Sequence, residues 1–173
     1  MNEKQMVLGY DYAGQDPAGW LLSGKFDGCR AYWDGSHLWT RGGHTVKAPA
    51  WFLAGLPTGQ HLDCELWAGY GGFQAARMAT QYGTFNPAIR LRVFDCPTAT
   101  GDWPQRMKVA RRAIGRASVA ECVTFRPCAS LEDLRSELQT VLARGGEGLV
   151  LRAPGVSRYE TGRTHGLLKV KRI

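Results

Sequence analysis

Short apolar runs separated by turn-forming residues dominate this chain. Eight of them read as strands: "GWLLSGK", "CRAYWD", "HLWTR", "HLDCELWA", "IRLRVFDC", "CVTFRPC", "EGLVLRA" and "LLKVKR". Three other stretches carry helical periodicity. The first runs from Phe73 to Gln81, behind a glycine cluster at Gly69, Gly71 and Gly72. In the second, Pro104 to about Ala117, the residues Met107, Ala110, Ile114 and Ala117 recur at helical spacing and leave Lys108, Arg111, Arg112 and Arg116 on the neighbouring face. The third opens with Ser130-Leu131-Glu132-Asp133, an N-cap pattern. It turns Leu131, Leu134, Leu138, Val141 and Leu142 toward the core before Gly145 ends it. Mostly antiparallel sheets with a few covering helices make an α+β architecture.

With 173 residues, 44% of them hydrophobic and 21% charged, the chain can bury a core and lies outside the composition range of disordered segments. Its formal charge of +7 and pI near 9.4 favour a polyanionic partner, nucleic acid before a membrane surface. The basic face of the second helix is the obvious candidate. However, no aromatic is interleaved with its charges, and the acids of the third helix are expected near enough to pair with them, so it reads as a solvated face. No apolar run approaches the roughly 18 residues of a membrane span, and the opening "MNEKQMVLGYDYAG" lacks the apolar core and cleavage site of a signal peptide, so a cytoplasmic protein is expected. Five cysteines without a C-x-x-C pair suggest neither a disulfide framework nor a zinc site, and four scattered histidines have no metal-ligand spacing.

The chemistry concentrates in "SGKFDGCRAYWDG", residues 23–35. There an amine, a carboxylate and a guanidinium (Lys25, Asp27 and Arg30) fall within six residues of a strand pair turned by Asp34-Gly35. A lysine acts as a nucleophile only when deprotonated, which calls for partial burial or cationic neighbours. Apolar Leu21, Leu22 and Phe26 supply the first, and Lys169 and Lys171 in the last strand could supply the second. Those two lysines, spaced by two, are expected on one strand face, an arrangement suited to an anion between or above them. "HLDCELWAG" puts Asp63 and Glu65 on one strand face and Leu62, Cys64 and Leu66 on the other. Glu147 follows two glycines at the head of an apolar strand, and Phe94 adjoins Asp95.

Taken in order, "KFDGCR", "DCELW", "VFD", "EGLVLR" and "KVK" resemble motifs I, III, IIIa, IV and V of the covalent nucleotidyltransferases: ATP-dependent DNA ligases, RNA ligases and capping enzymes. Between them, "RAYWDG", "TRGG", "APAWF" and "LDCELWAGYGGF" resemble the smallest bacterial and phage-type ATP-dependent DNA ligases. Motif III departs from the family's D-G-E-L by carrying Cys64, expected to face away from Asp63 and Glu65. The resemblance implies a nucleotidyltransferase (adenylation) domain, ATP-grasp-like, of mainly antiparallel sheets flanked by helices. It is expected as a single domain over 1–173, stopping at Lys171-Arg172-Ile173 where the family continues into an OB-fold domain, here expected absent.

By the same resemblance Lys25 would take AMP from ATP, pass it to the 5′-phosphate of a DNA nick, and the 3′-hydroxyl would displace it. Phe94 would stack on adenine, Ser23 would help read the base, and Arg30 and Glu65 would hold the ribose. Lys169 and Lys171 would neutralise the α-phosphate, and Glu147 with Asp27 would position Mg²⁺, for which Mn²⁺ would substitute. Arg41 in "TRGG" matches the arginine that binds the nick's 5′-phosphate, which favours a polynucleotide ligase over a capping enzyme. The implied partner is nicked double-stranded DNA, bound by a monomer without a membrane. The core motifs are shared with RNA ligases and RNA-repair nucleotidyltransferases. A non-sealing module that binds nucleotide and nicks is the other reading, against which no motif has lost its charged or nucleophilic residue.

Overall fold

Residues 3–173 are described in a computed structural model. After a 3-10 turn at Glu3–Gln5, the order is β1 (Val7–Asp11), β2 (Leu21–Lys25), β3 (Cys29–Trp33), β4 (Leu38–Thr40), α1 (Ala50–Leu53), β5 (Leu62–Trp67), α2 (Phe73–Tyr82) and β6 (Arg90–Asp95). There follow α3 (Trp103–Ile114), β7 (Ala120–Cys122), β8 (Phe125–Pro127), α4 (Leu131–Ala143), β9 (Gly148–Arg152) and β10 (Gly162–Val170). The strands form two five-stranded sheets, ordered β1-β10-β9-β2-β8 and β4-β3-β5-β6-β7. Pairing is antiparallel except for β1 with β10 and β6 with β7.

Strand alternation sorts the residues by face. In the first sheet Leu22, Leu149, Leu151, Leu168 and Val170 pack with Leu134 and Leu138 of α4. Their neighbours Ser23, Val150, Arg152, Leu167 and Lys169 line a cavity instead. In the second sheet Ala31, Trp33, Leu62, Cys64, Leu66, Leu91 and Val93 join Phe52 of α1 and Met107, Ala110 and Ile114 of α3 in the larger core. Arg30, Glu65 and Phe94, of opposite parity, face the same cavity. Cys64, in the family's glycine position, is fully buried in that core, away from Glu65.

Local chemistry fixes the helix ends. Asp102 accepts the Gln105 N–H at 2.9 Å while the Gln105 side chain accepts the Asp102 N–H at 2.8 Å, a capping box that starts α3. Ser130 caps α4 by accepting from the Asp133 N–H at 3.1 Å. The expected buried stripe of α4 holds for Leu134 and Leu138, but Leu131 and Leu142 fall at its edge and are 36% and 44% exposed. Ala117 lies beyond α3, which Gly115 ends at a φ of 52°. The acids of α4 do not serve the basic face of α3: Asp133 and Glu137 pair with Arg126 of β8. Three elements escaped the pattern, one of them β7 (Ala120–Cys122), which meets the "CVTFRPC" run only at Cys122. The "VLGYD" strand is short with one buried alternation, and the four-residue α1 is too brief to show a period.

The two sheets are tied by a fully buried carboxylate. Asp95, at the end of β6, accepts from Arg106 Nε and Nη2 of α3 at 2.7 and 3.1 Å and from Arg152 Nη1 of β9 at 3.3 Å. Asp95→Ala would strand two buried guanidinium groups and is expected to cost about 3–5 kcal/mol. Urea unfolding of the purified variant measures this, and a loss below about 1 kcal/mol would show that the sheets are held by apolar packing alone.

Candidate active site

The backbone of the lysine motif is shaped by what surrounds it. A Cβ on Gly28 would stand 2.2 Å from the Leu66 carbonyl oxygen, so only glycine lets the turn after Lys25 lie against β5. Gly148, beside Glu147, has φ 149° and would place a Cβ 2.2 Å from the Val170 carbonyl oxygen. These two glycines bring the ends of β2, β9 and β10 together, with Lys25 paired to Gly148 across the sheet.

The result is an ion cluster at the lysine. Lys25 Nζ and Lys171 Nζ grip opposite oxygens of Glu147, the second at 2.7 Å, and the Lys25 side chain is only 20% exposed. Burial alone would push the Glu147 carboxyl up, but hydrogen bonds from Lys171 and Lys25 outweigh it and hold it below the usual range. The hydrogen bond to Glu147 in turn raises the Lys171 pKa. Lys169 Nζ lies 3.0 Å from Asp11 Oδ1 on β1. The expectation that Lys169 and Lys171 share a strand face is corrected here: β10 ends at Val170, and the two amines go to different carboxylates.

Lys25 opens on a cavity of about 550 Å³ between the sheets, lined also by Ser23, Arg30, Arg41, Glu65, Phe94 and Lys169. Its lining carries six cations, Lys25, Arg30, Arg41, Arg152, Arg163 and Lys169, against the single carboxylate of Glu65. Arg30 is held by Asp63 at 2.6 Å through both Nε and Nη2, donates from Nη2 to the Val7 carbonyl at 3.0 Å, and stands 4.7 Å above the Phe94 ring. Glu65 is pushed up to about 7 by burial, which the charges of Arg30 and Lys25 offset only in part. Asp27 is exposed on the β2–β3 turn and reaches the cluster only through its charge on Lys171. Among the described residues no group of three His, Cys, Asp or Glu side chains could hold a metal ion by themselves.

Sequence reasoning passed over several contributors. Arg152 lines the cavity, donates to the Phe94 carbonyl at 3.4 Å and lies 4.4 Å above the Trp103 ring. Arg163 donates to the Gly9 carbonyl at 2.9 Å and stacks over Tyr10. Tyr159 bonds Asp63, and Asp11 pairs Lys169. Lone arginines and tyrosines in polar stretches carry no spacing signal. Only the parity of Arg152 with Val150 on one strand pointed to the cavity.

The chain is 31% identical over 170 residues to a DNA ligase of Haemophilus influenzae, an alignment covering 96% of this chain and 63% of that protein. It matches a solved structure of the Lig E DNA ligases at a TM-score of 0.86 and 31% identity, over 96% of this chain and 68% of that one. The chain belongs to the DNA ligase family. A structure of Chlorella virus DNA ligase-adenylate matches this ligase fold at a TM-score of 0.75 and 19% identity, over 98% of this chain and 67% of that one. No protein-family model matches the chain. Two sheets with four helices are thus the nucleotidyltransferase fold of the ligases, as the motif order implied.

Glu65 makes the site's stability depend on pH. A carboxyl whose pKa rises from 4.5 unfolded to about 7 folded binds its proton more tightly in the folded state. Its ionisation therefore opposes folding: the cost is absent below 4.5 and complete above about 7. The shift corresponds to about 3 kcal/mol. Glu65→Gln should melt several degrees higher than the parent at pH 8 and within a degree or so of it at pH 4. Differential scanning calorimetry at the two pH values reads the difference, and a gain equal at both would contradict a buried, ionisable Glu65.

Proposed function

We propose that this chain is the catalytic core of an ATP-dependent DNA ligase, acting on nicked double-stranded DNA as a monomer. The observation that carries the reading is a partly buried lysine opening on a cavity lined by six cations and one acid, with a carboxylate and a second lysine at its amine. A cavity so charged suits a triphosphate, and Lys25 is the nucleophile placed to attack it.

In the first step Lys25 Nζ attacks the α-phosphorus of ATP. The N–P bond forms, the bond to the β-phosphate breaks, pyrophosphate leaves and the amine loses a proton. Phe94 gives adenine a ring to stack on, with Ser23 at its edge. Arg30 is fixed on three sides by Asp63, Val7 and Phe94, which leaves Nη1 for a ribose hydroxyl beside Glu65. Lys169 and Lys171 exchange Asp11 and Glu147 for phosphate oxygens as charge builds on them. In the second step an oxygen of the nick's 5′-phosphate, held by the planar fork of Arg41, displaces Lys25 from AMP. In the third, the 3′-hydroxyl attacks the activated 5′-phosphate and AMP departs.

Mg²⁺, or Mn²⁺ in its stead, fits this site in part. Glu147 supplies one carboxylate beside the reacting amine with Asp27 nearby in charge, and this ion is commonly held by one or two carboxylates together with phosphates and water. When bound it neutralises charge on the phosphates.

Incubation with radiolabelled ATP and Mg²⁺ should leave acid-labile AMP on the native chain and none on Lys25→Ala. Label persisting in that variant would exclude Lys25 as the nucleophile. Parallel sealing assays on nicked DNA and nicked RNA decide the substrate.

Arg41→Ala should weaken binding to a 5′-phosphorylated nick by about 10- to 100-fold, as for loss of a charge-assisted contact. It should leave affinity for intact duplex nearly unchanged. Neutralising Lys108, Arg111 and Arg112 of α3, with Arg116 just beyond it, should lower both affinities by a similar, smaller factor with a shallower salt dependence. Fluorescence anisotropy over a salt series compares them, and loss of nick binding only in the α3 variant would move the DNA to the α3 face.

A further inference from the structure

The connection between β9 and β10 returns one side chain to the floor of the site. Tyr159 donates its hydroxyl to Asp63 Oδ2 at 2.5 Å and accepts the Val7 N–H at 2.8 Å. Asp63 is fully buried, and its two oxygens hold Arg30 Nε and Nη2 at 2.6 Å each. Arg30 Nη2 donates to the Val7 carbonyl at 3.0 Å. Tyr159, Asp63, Arg30 and Val7 therefore close a ring of hydrogen bonds that uses both backbone polar groups of Val7. Val7 and Arg30 both line the cavity.

We propose that Tyr159 is a positioning residue that sets the ribose preference of the site, acting through Asp63 on Arg30. The proposal rests on the reading above in which Arg30 meets the nucleotide's ribose. Arg30 and Asp63 by themselves form a two-point pair that can pivot as a unit about the Asp63 side chain. The Tyr159 hydroxyl removes that freedom by fixing the carboxylate oxygen opposite the backbone of β1, so the unused Nη1 keeps one direction relative to Phe94, 4.7 Å below. Burial and the neighbouring Asp63 charge both push the phenol's pKa up, so it remains a donor across the working pH range. A hydroxyl needed only for stability would affect every nucleotide alike. One that aims Arg30 affects those whose sugar hydroxyl Arg30 meets.

The test compares Tyr159→Phe with the parent for ATP, 2′-deoxyATP and 3′-deoxyATP, in single-turnover self-adenylation and in equilibrium binding to a Lys25→Ala background. The parent should prefer ATP over at least one deoxy analogue, and Tyr159→Phe should shrink that preference by about 3- to 10-fold. Most of the change should appear in KM rather than in the saturated rate. In an Arg30→Lys background, which keeps the charge but loses the fork, Tyr159→Phe should have little further effect on the preference. Circular dichroism confirms that each variant is folded. An equal loss for all three nucleotides, or an undiminished effect of Tyr159→Phe in the Arg30→Lys background, overturns the proposal. Label on Lys25 in the parent, with no ribose preference in either assay, overturns it while leaving the ligase reading intact. No label at all removes the reading and the proposal together.

Discussion

Two fully buried carboxylates, Asp63 and Asp95, decide how the sheets of this protein can stand. A buried charge is tolerated only when paired, and each of these finds its partners on more than one element. Asp95 takes Arg106 from α3 and Arg152 from the opposing sheet, while Asp63 takes Arg30 from the neighbouring strand and Tyr159 from the β9–β10 connection. Apolar packing between the inner sheet faces would close the space between them. Ion pairs at the floor of the space hold the sheets in register without filling it, and the cavity remains open above. Arg30 and Arg152, which help neutralise the carboxylates, also wall the cavity, so part of one set of contacts serves both fold and site.

The same economy applies to the lysines. A cluster of cations around a nucleophilic amine would repel itself, and here the amines of Lys25, Lys171 and Lys169 are matched to Glu147 and Asp11. These carboxylates hold the amines in place through single oxygens, contacts that a phosphate oxygen can replace without moving the backbone. Lys171 and Asp11, both largely exposed, exchange at small cost, because ion pairs in contact with water contribute little. Glu147 is the less exposed partner, and it holds two amines at once. Substrate charge would thus be received by groups already aimed.

Much of this was legible in the sequence because motif residues sit on strands, where parity alone assigns faces. "LDCELW" separated Asp63 and Glu65 from Leu62, Cys64 and Leu66, and the structure keeps that division. What stayed hidden depends on contacts distant along the chain. Arg106 carries no spacing that marks it apart from the basic residues after it, yet it is buried by a carboxylate eleven residues earlier. The β1 strand is recognisable only through its parallel partner β10, some 155 residues away. Lys171 has strand spacing from Lys169, but the strand stops between them, and pattern alone does not show where hydrogen bonding ends.

A division of labour between strands and loops follows. Lys25, Arg30, Glu65, Phe94 and Lys169 stand on paired strands, whose hydrogen-bonded ladders fix the backbone and suit it to a reaction that needs in-line geometry. Arg41 stands just beyond β4 and Asp27 on a turn, both exposed, where the backbone is held by fewer ladder contacts. Tyr159 crosses this division. Carried on a connection, it reaches back to a buried carboxylate and ties that segment to the Arg30 guanidinium in the cavity wall. The β9–β10 connection therefore bears on Arg30, whereas Lys25 is held from the ends of β9 and β10 through Glu147 and Lys171.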